Sequence, residues 1–110
     1  MSQLGAVKLQ DAATANSNGV IMSLQAFDSV IVQITGTFNA SVHFEATVDG
    51  STWVECAAYD LNSTGSTKAK GHTAPGLFHV DGLGGCLQFR ARIGSYSSGS
   101  VTIIANAHTG

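Results

Sequence analysis

Charge is scarce in this sequence. Only 11% of its residues are Asp, Glu, Lys or Arg, where soluble domains usually carry about 25%. The five cations, Lys8, Lys68, Lys70, Arg90 and Arg92, form no cluster, and the formal net charge is −2. That excludes a general phosphate-binding face and argues against a nucleic-acid partner. No apolar run approaches the ~20 residues of a membrane helix, so no membrane partner is expected. The opening "MSQLGAVKLQ" lacks the basic-then-apolar plan of a secretory leader. A soluble protein made in a cytoplasm is therefore expected, leaving it only when a cell lyses. Proline occurs once, and no stretch sustains the 3.6-residue apolar period of a helix.

Catalytic and cofactor signatures are missing as well. No G-x-S-x-G elbow and no Gly-rich strand-to-helix run occurs, so neither a hydrolase triad nor a phosphate cradle is predicted. His43 with Glu45, and His79 with Asp81, could each lend two ligands to a metal, but a site needs three or four converging groups. No catalytic residue, cofactor or metal is expected, and the protein reads as non-enzymatic. "NAS" at Asn39 and "NST" at Asn62 match the glycosylation pattern by coincidence when no secretory leader precedes them.

What is present is alternation. Chain length, 110 residues, fits one domain able to bury roughly two-thirds of its unfolded surface. Glycine is frequent, at 13 residues, and Ser and Thr abound, as in β-structure with many turns. Residues 1–19 read as an N-terminal arm or weak strand with a polar linker, and 20–110 as a β-sandwich domain. Alternating segments follow at 20–25, 29–35, 40–49, 77–81, 86–94 and 101–107. In 40–49, Val42, Phe44, Ala46 and Val48 share one face, while His43, Glu45, Thr47 and Asp49 share the other. Asp49-Gly50 is a hairpin signal, because glycine takes positive φ without steric cost. "STWVECAA" returns as the partner strand. A short edge strand is expected within 66–70, its lysines discouraging aggregation. "SYSSGS" reads as a second hairpin turn. About eight strands at this spacing predict an all-β antiparallel sandwich or jelly roll.

Several side chains can be assigned roles. Phe44 and Phe89 are core candidates. Glu45 opposite Arg90 or Arg92 reads as a cross-strand ion pair, worth about 0.5 kcal/mol if exposed. Trp53 could stack on a sugar, with Tyr59 and Tyr96 as further platforms, or could cap the core; the structural role is favoured. Cys56 should share a face with Val54 and Ala58, and Cys86 with Gln88 and the arginines. One thiol then points inward and the other outward, too divergent for a disulfide. Partner contacts are sought in the arm, at Val7 and Leu9, and in the long polar loop over 60–76, at Lys68, Lys70 and His72.

"FNASVHFEATVDGSTWVE", then "GLFHVDGLGGCLQFRARIGSYSSGSVTIIANA", resembles small β-sandwich structural proteins of tailed bacteriophages, of the capsid-decoration, head-fibre and tail-accessory kinds. The likeness runs from about Gly36 to Ala107 and rests on fold-forming residues, Gly50, Trp53, Arg90 and Arg92 among them. It implies a virion structural protein, above all a capsid decoration (cement) protein. Such a protein binds the major capsid protein or other virion proteins and assembles as a homo-oligomer, with a trimer expected. The alternative it leaves open is a carbohydrate- or receptor-binding module of a tail or head fibre.

Overall fold

The computed structural model describes residues 3–62 and 68–109. Among these there is no helix, and ten strands form two antiparallel sheets. The larger sheet holds β1 (Gln3–Ala13), β3 (Ser29–Thr35), β6 (Ala58–Asp60), β7 (Lys68–Ala69), β8 (Gly76–Val80) and β10 (Val101–His108), in the order β1-β10-β3-β8-β6-β7. The smaller holds β2 (Met22–Ser23), β4 (Phe38–Thr47), β5 (Val54–Cys56) and β9 (Gln88–Gly99), in the order β2-β9-β4-β5. This is the expected all-β sandwich.

Period-two alternation supplies both inner faces. Val30, Val32 and Ile34 of β3 with Val101, Ile103 and Ala105 of β10 from one sheet, and Val42 and Phe44 of β4 with Phe89, Ala91 and Ile93 of β9 from the other, are all buried in one core. An aromatic cluster sits at the centre. Phe44 lies 6.0 Å from both Phe78 and Phe89, ring centre to ring centre. His72 closes it, 5.0 Å from Phe44 and 4.5 Å from Phe78.

The chain passes between sheets at two interlocked corners. Gly36 (φ +115°) leads from β3 into β4, and Gly99 (φ +87°) leads out of β9 toward β10. The Ser100 amide donates to the Thr37 carbonyl at 3.0 Å. A methyl group on Gly99 would sit 2.1 Å from that same carbonyl oxygen, and one on Gly36 would sit 2.3 Å from the Ser100 carbonyl oxygen. Backbone therefore packs on backbone at this point. "SYSSGS" is accordingly no hairpin turn: most of it continues β9, which pairs there with the start of β4 (Asn39 with Ser98, Phe38 with Gly99).

Other expectations shift for similar reasons. The N-terminal segment is a full edge strand on β10, bent by register shifts. Leu9 is wholly buried in the core and Val7 is half-buried against it, so neither belongs to a free arm. The Gln10 side chain crosses to the other sheet and donates to the Ala91 carbonyl at 2.9 Å. Residues 54–58 are two strands in different sheets, with the switch at Ala57. That breaks the face alternation: Val54 is exposed while Ala58 is buried. Cys56 and Cys86 both stand half-buried and unbonded, lining one cavity of about 570 Å³ rather than opposite faces. Val48 lies beyond the end of β4 and is 72% exposed, so the core face stops at Ala46. The expected edge strand is present as β7, at Lys68–Ala69; Ser66, within the range proposed for it, lies outside the described residues.

Phe44→Ala should cost about 3–5 kcal/mol by emptying a fully buried site, measured by chemical denaturation. The two glycines Gly50 and Gly99 should separate. Gly50 (φ +82°) has only ordinary contacts around a methyl group, the nearest at 3.6 Å, so Gly50→Ala should cost the left-handed strain alone, about 1–2 kcal/mol. Gly99→Ala adds a backbone collision and should destabilise clearly more.

Candidate functional site

The outer face of the smaller sheet carries most of the molecule's organised polar chemistry. Register places it. Glu45 faces Arg90 on one side and Glu55 on the other; His43 faces Arg92, and Ser41 faces Gly94. Like charges opposite one another in a sheet repel, and the two carboxylates resolve this by turning to different partners.

Glu45 turns to the arginines. Arg90 Nε donates to one carboxylate oxygen at 2.8 Å and Arg92 Nε to the other at 3.0 Å. Trp53 covers the group from the β4–β5 loop, its ring 4.2 Å from the Arg90 guanidinium carbon. Glu45 is thereby buried, 8% exposed, so the cross-strand ion pair expected from the sequence is present and covered. Burial alone would push its carboxyl up. Hydrogen bonds from Arg90 and Arg92, with their charges, outweigh that and hold it below the usual range.

Glu55 turns to His43. Its Oε2 lies 2.7 Å from His43 Nδ1, and His43 Nε2 lies 2.8 Å from Ser41 Oγ. A polar cleft of about 430 Å³ opens beside this row, between His43, Arg92, Gly94 and the strap at Asn16–Asn18. The strap is held by a two-way backbone bridge between Ser17 and Ile93.

The β4–β5 connection is longer than a two-residue turn and is knit by Asp49. Its Oδ1 accepts from the Ser51 and Thr52 amides, each at 2.9 Å, and from the Thr47 hydroxyl at 2.9 Å. Thr47 Oγ1 accepts in turn from the Gly50 amide at 3.0 Å. The Thr52 amide first, then Ser51 and Thr47, lower the Asp49 pKa to about 2. Exposed Val48 and Val54 flank this loop, with exposed Leu87 beside Gly50.

The remaining predicted site residues fall elsewhere. His72 is buried, exchanges two backbone hydrogen bonds with Val42, and plugs the aromatic cluster. Desolvation lowers its pKa, and it offers a partner nothing. Lys68 is exposed, but its ammonium pairs with Asp81 at 2.8 Å and lies over Tyr59. Lys70 is exposed. Tyr96 donates its hydroxyl to the Gly99 carbonyl at 2.6 Å. His43 turns to Glu55 rather than Glu45, and His79 stacks on His108. Among the described residues no three His, Cys, Asp or Glu side chains converge on a metal position. Ser41 and Glu55 went unnoticed in the sequence. The available signal was Ser41-x-His43, two side chains on one strand face.

No protein-family model matches the chain. No curated protein matches it. Among solved structures, the fold is similar to the SPBc2 prophage-derived protein YomS, with a TM-score of 0.83 and 15% identity over 96% of this chain and 92% of that one. It is also similar to the PBSX exported protein XepA, with a TM-score of 0.85 and 15% identity over 96% of this chain and 37% of that one. At this identity the likeness is one of fold: an all-β sandwich shared with phage-derived proteins. In XepA that sandwich accounts for little more than a third of the chain.

Removing Glu45 should be felt. Glu45→Ala strips two half-buried guanidiniums of their acceptor and should cost about 1–3 kcal/mol, with Trp53 emission shifting to the red as its cover loosens. Asp49 gives a pH test. Its folded pKa of about 2 lies below the ordinary 3.8. Its contribution is therefore complete above about pH 4 and lost as pH falls through about 2. An NMR titration of the Asp49 carboxyl should show a midpoint near 2.

Proposed function

We propose that this protein is a bacteriophage virion structural component, a capsid decoration protein that binds the major capsid protein. It works as a homo-oligomer, with a trimer the expected state. The observation that carries the reading is the exposed apolar rim of the smaller sheet's β5 edge. Val48 is 72%, Val54 64% and Leu87 50% exposed around one loop. A β-edge with open backbone groups beside apolar side chains is suited to docking on another protein. The sandwich shared with YomS and XepA supports a phage setting, as does the sequence resemblance to virion proteins.

A carbohydrate-binding role is less well supported. Trp53 already gives a ring face to Arg90 and Tyr59 one to Lys68, and Tyr96 is tied to Gly99. No two of these aromatics are seen to form a common platform.

The test is sedimentation with phage capsids that lack the protein. Wild type should pellet with them at micromolar concentration. Val54→Asp, a surface change that leaves the core intact, should weaken binding about tenfold or more, equivalent to ~1.4 kcal/mol. A wild-type protein that stays in the supernatant overturns the reading.

A further inference from the structure

Ser41 and His43 lie two residues apart on β4 and so project from one face. Ser41 Oγ is 2.8 Å from His43 Nε2, and His43 Nδ1 is 2.7 Å from Glu55 Oε2. An ionised carboxylate only accepts, so Nδ1 carries the ring proton in the neutral imidazole. The Nε2 lone pair then faces the Ser41 hydroxyl. This is the tautomer that a hydroxyl–imidazole–carboxylate relay requires. The hydroxyl proton has a second acceptor, the Gly94 carbonyl, at the longer distance of 3.1 Å.

Ser41 is half-buried, and its cross-strand neighbour, Gly94, brings no side chain against it. A methyl group on Gly94 would stand 3.1 Å from Arg92 Nη1 and 3.6 Å from His43 Nε2. Both groups therefore border the space above Gly94. Arg92 commits its Nε to Glu45, 3.0 Å away, which anchors the guanidinium with Nη1 on the Gly94 side. The polar cleft beside His43 begins here, with Asn16, Ser17, Asn18 and Ser95 on its walls. Ser95 holds φ +51°, a costly conformation for a side chain that is not glycine.

We propose that Ser41, His43 and Glu55 form an acyl-transfer site that hydrolyses small acyl esters of hydroxyl-rich alcohols. Ser41 Oγ attacks the ester carbonyl carbon as His43 Nε2 takes the hydroxyl proton. Arg92 Nη1 stabilises the oxyanion that forms. The carbon–oxygen bond to the alcohol breaks, and His43 returns the proton to the departing alkoxide. Water, deprotonated by His43, then releases the acyl group as a carboxylic acid and restores Ser41. Glu55 is a positioning residue: it holds the tautomer and stabilises the imidazolium. The amide and hydroxyl walls of the cleft, from Asn16, Ser17, Asn18 and Ser95, suit an alcohol with several hydroxyls.

The experiment uses the full-length folded protein, a fluorophosphonate probe and p-nitrophenyl acetate. One fluorophosphonate adduct per chain is expected, mapped by mass spectrometry to the peptide carrying Ser41. Ester hydrolysis should fall at least about tenfold in Ser41→Ala and in His43→Gln. Glu55→Gln should lower kcat with KM little changed, because the imidazole loses the partner that fixes its tautomer. A hydrogen-bond relay with a purely structural role would lower the melting temperature of these variants without any adduct in the wild type. No adduct on folded wild type, an adduct on a different peptide, or hydrolysis unchanged in Ser41→Ala overturns the proposal. The peptide map needs no variant, so a misfolded substitution leaves the test intact.

Discussion

Glu45 accepts from Arg90 and Arg92 at once, and the outer face of the smaller sheet is arranged around that one covered carboxylate. A carboxylate this buried has to be compensated. Two guanidiniums from alternate positions of β9 do so, which ties β4 to β9 in a single register. The remaining parts follow. Arg90, held flat, offers a surface for Trp53. Arg92, held by its Nε, turns Nη1 toward Gly94. Glu55, directly across from Glu45, finds the cations occupied and turns to His43. One pairing thus orients a lid, a cationic anchor and an imidazole.

The same face shows why an outer face of a sheet need not be solvent-facing. Thr47 and Glu45 alternate away from the core, yet both are buried, because the β4–β5 loop folds back over them. Asp49 shapes that fold-back by gathering two amides and a hydroxyl on one oxygen. The apolar residues Val48 and Val54 are displaced outward by it. The loop therefore does two things: it shields the ion cluster, and it pushes a hydrophobic rim to the surface at a sheet edge.

Alternation made much of the fold legible. Val30, Val32 and Ile34, and Val42 with Phe44, could be assigned to the core from spacing alone, as could Phe78 and Val80. What alternation cannot show is a change of sheet. At Ala57, Gly36 and Gly99 the chain leaves one layer for the other, and the parity of faces resets without any mark in the residue pattern. Cys56, Val54 and the "SYSSGS" segment were misjudged for that reason. Of the candidate site, the Glu45–arginine pairing was legible because opposite charges sat on facing strands. The Ser41–His43–Glu55 row was not, because its third member depends on the register of a loop longer than the turn signal implied. His72 misled for another reason: its polar side chain closes an aromatic cluster.

The position of β10 has a consequence for how the molecule comes into being. This strand, late in the chain, lies between β1 and β3 in the larger sheet. Until it emerges from the ribosome, two strands made long before present open hydrogen-bonding edges with nothing between them. Such edges invite pairing with other chains. Completion of the larger sheet therefore depends on this one strand, because β1 pairs with no other strand in it.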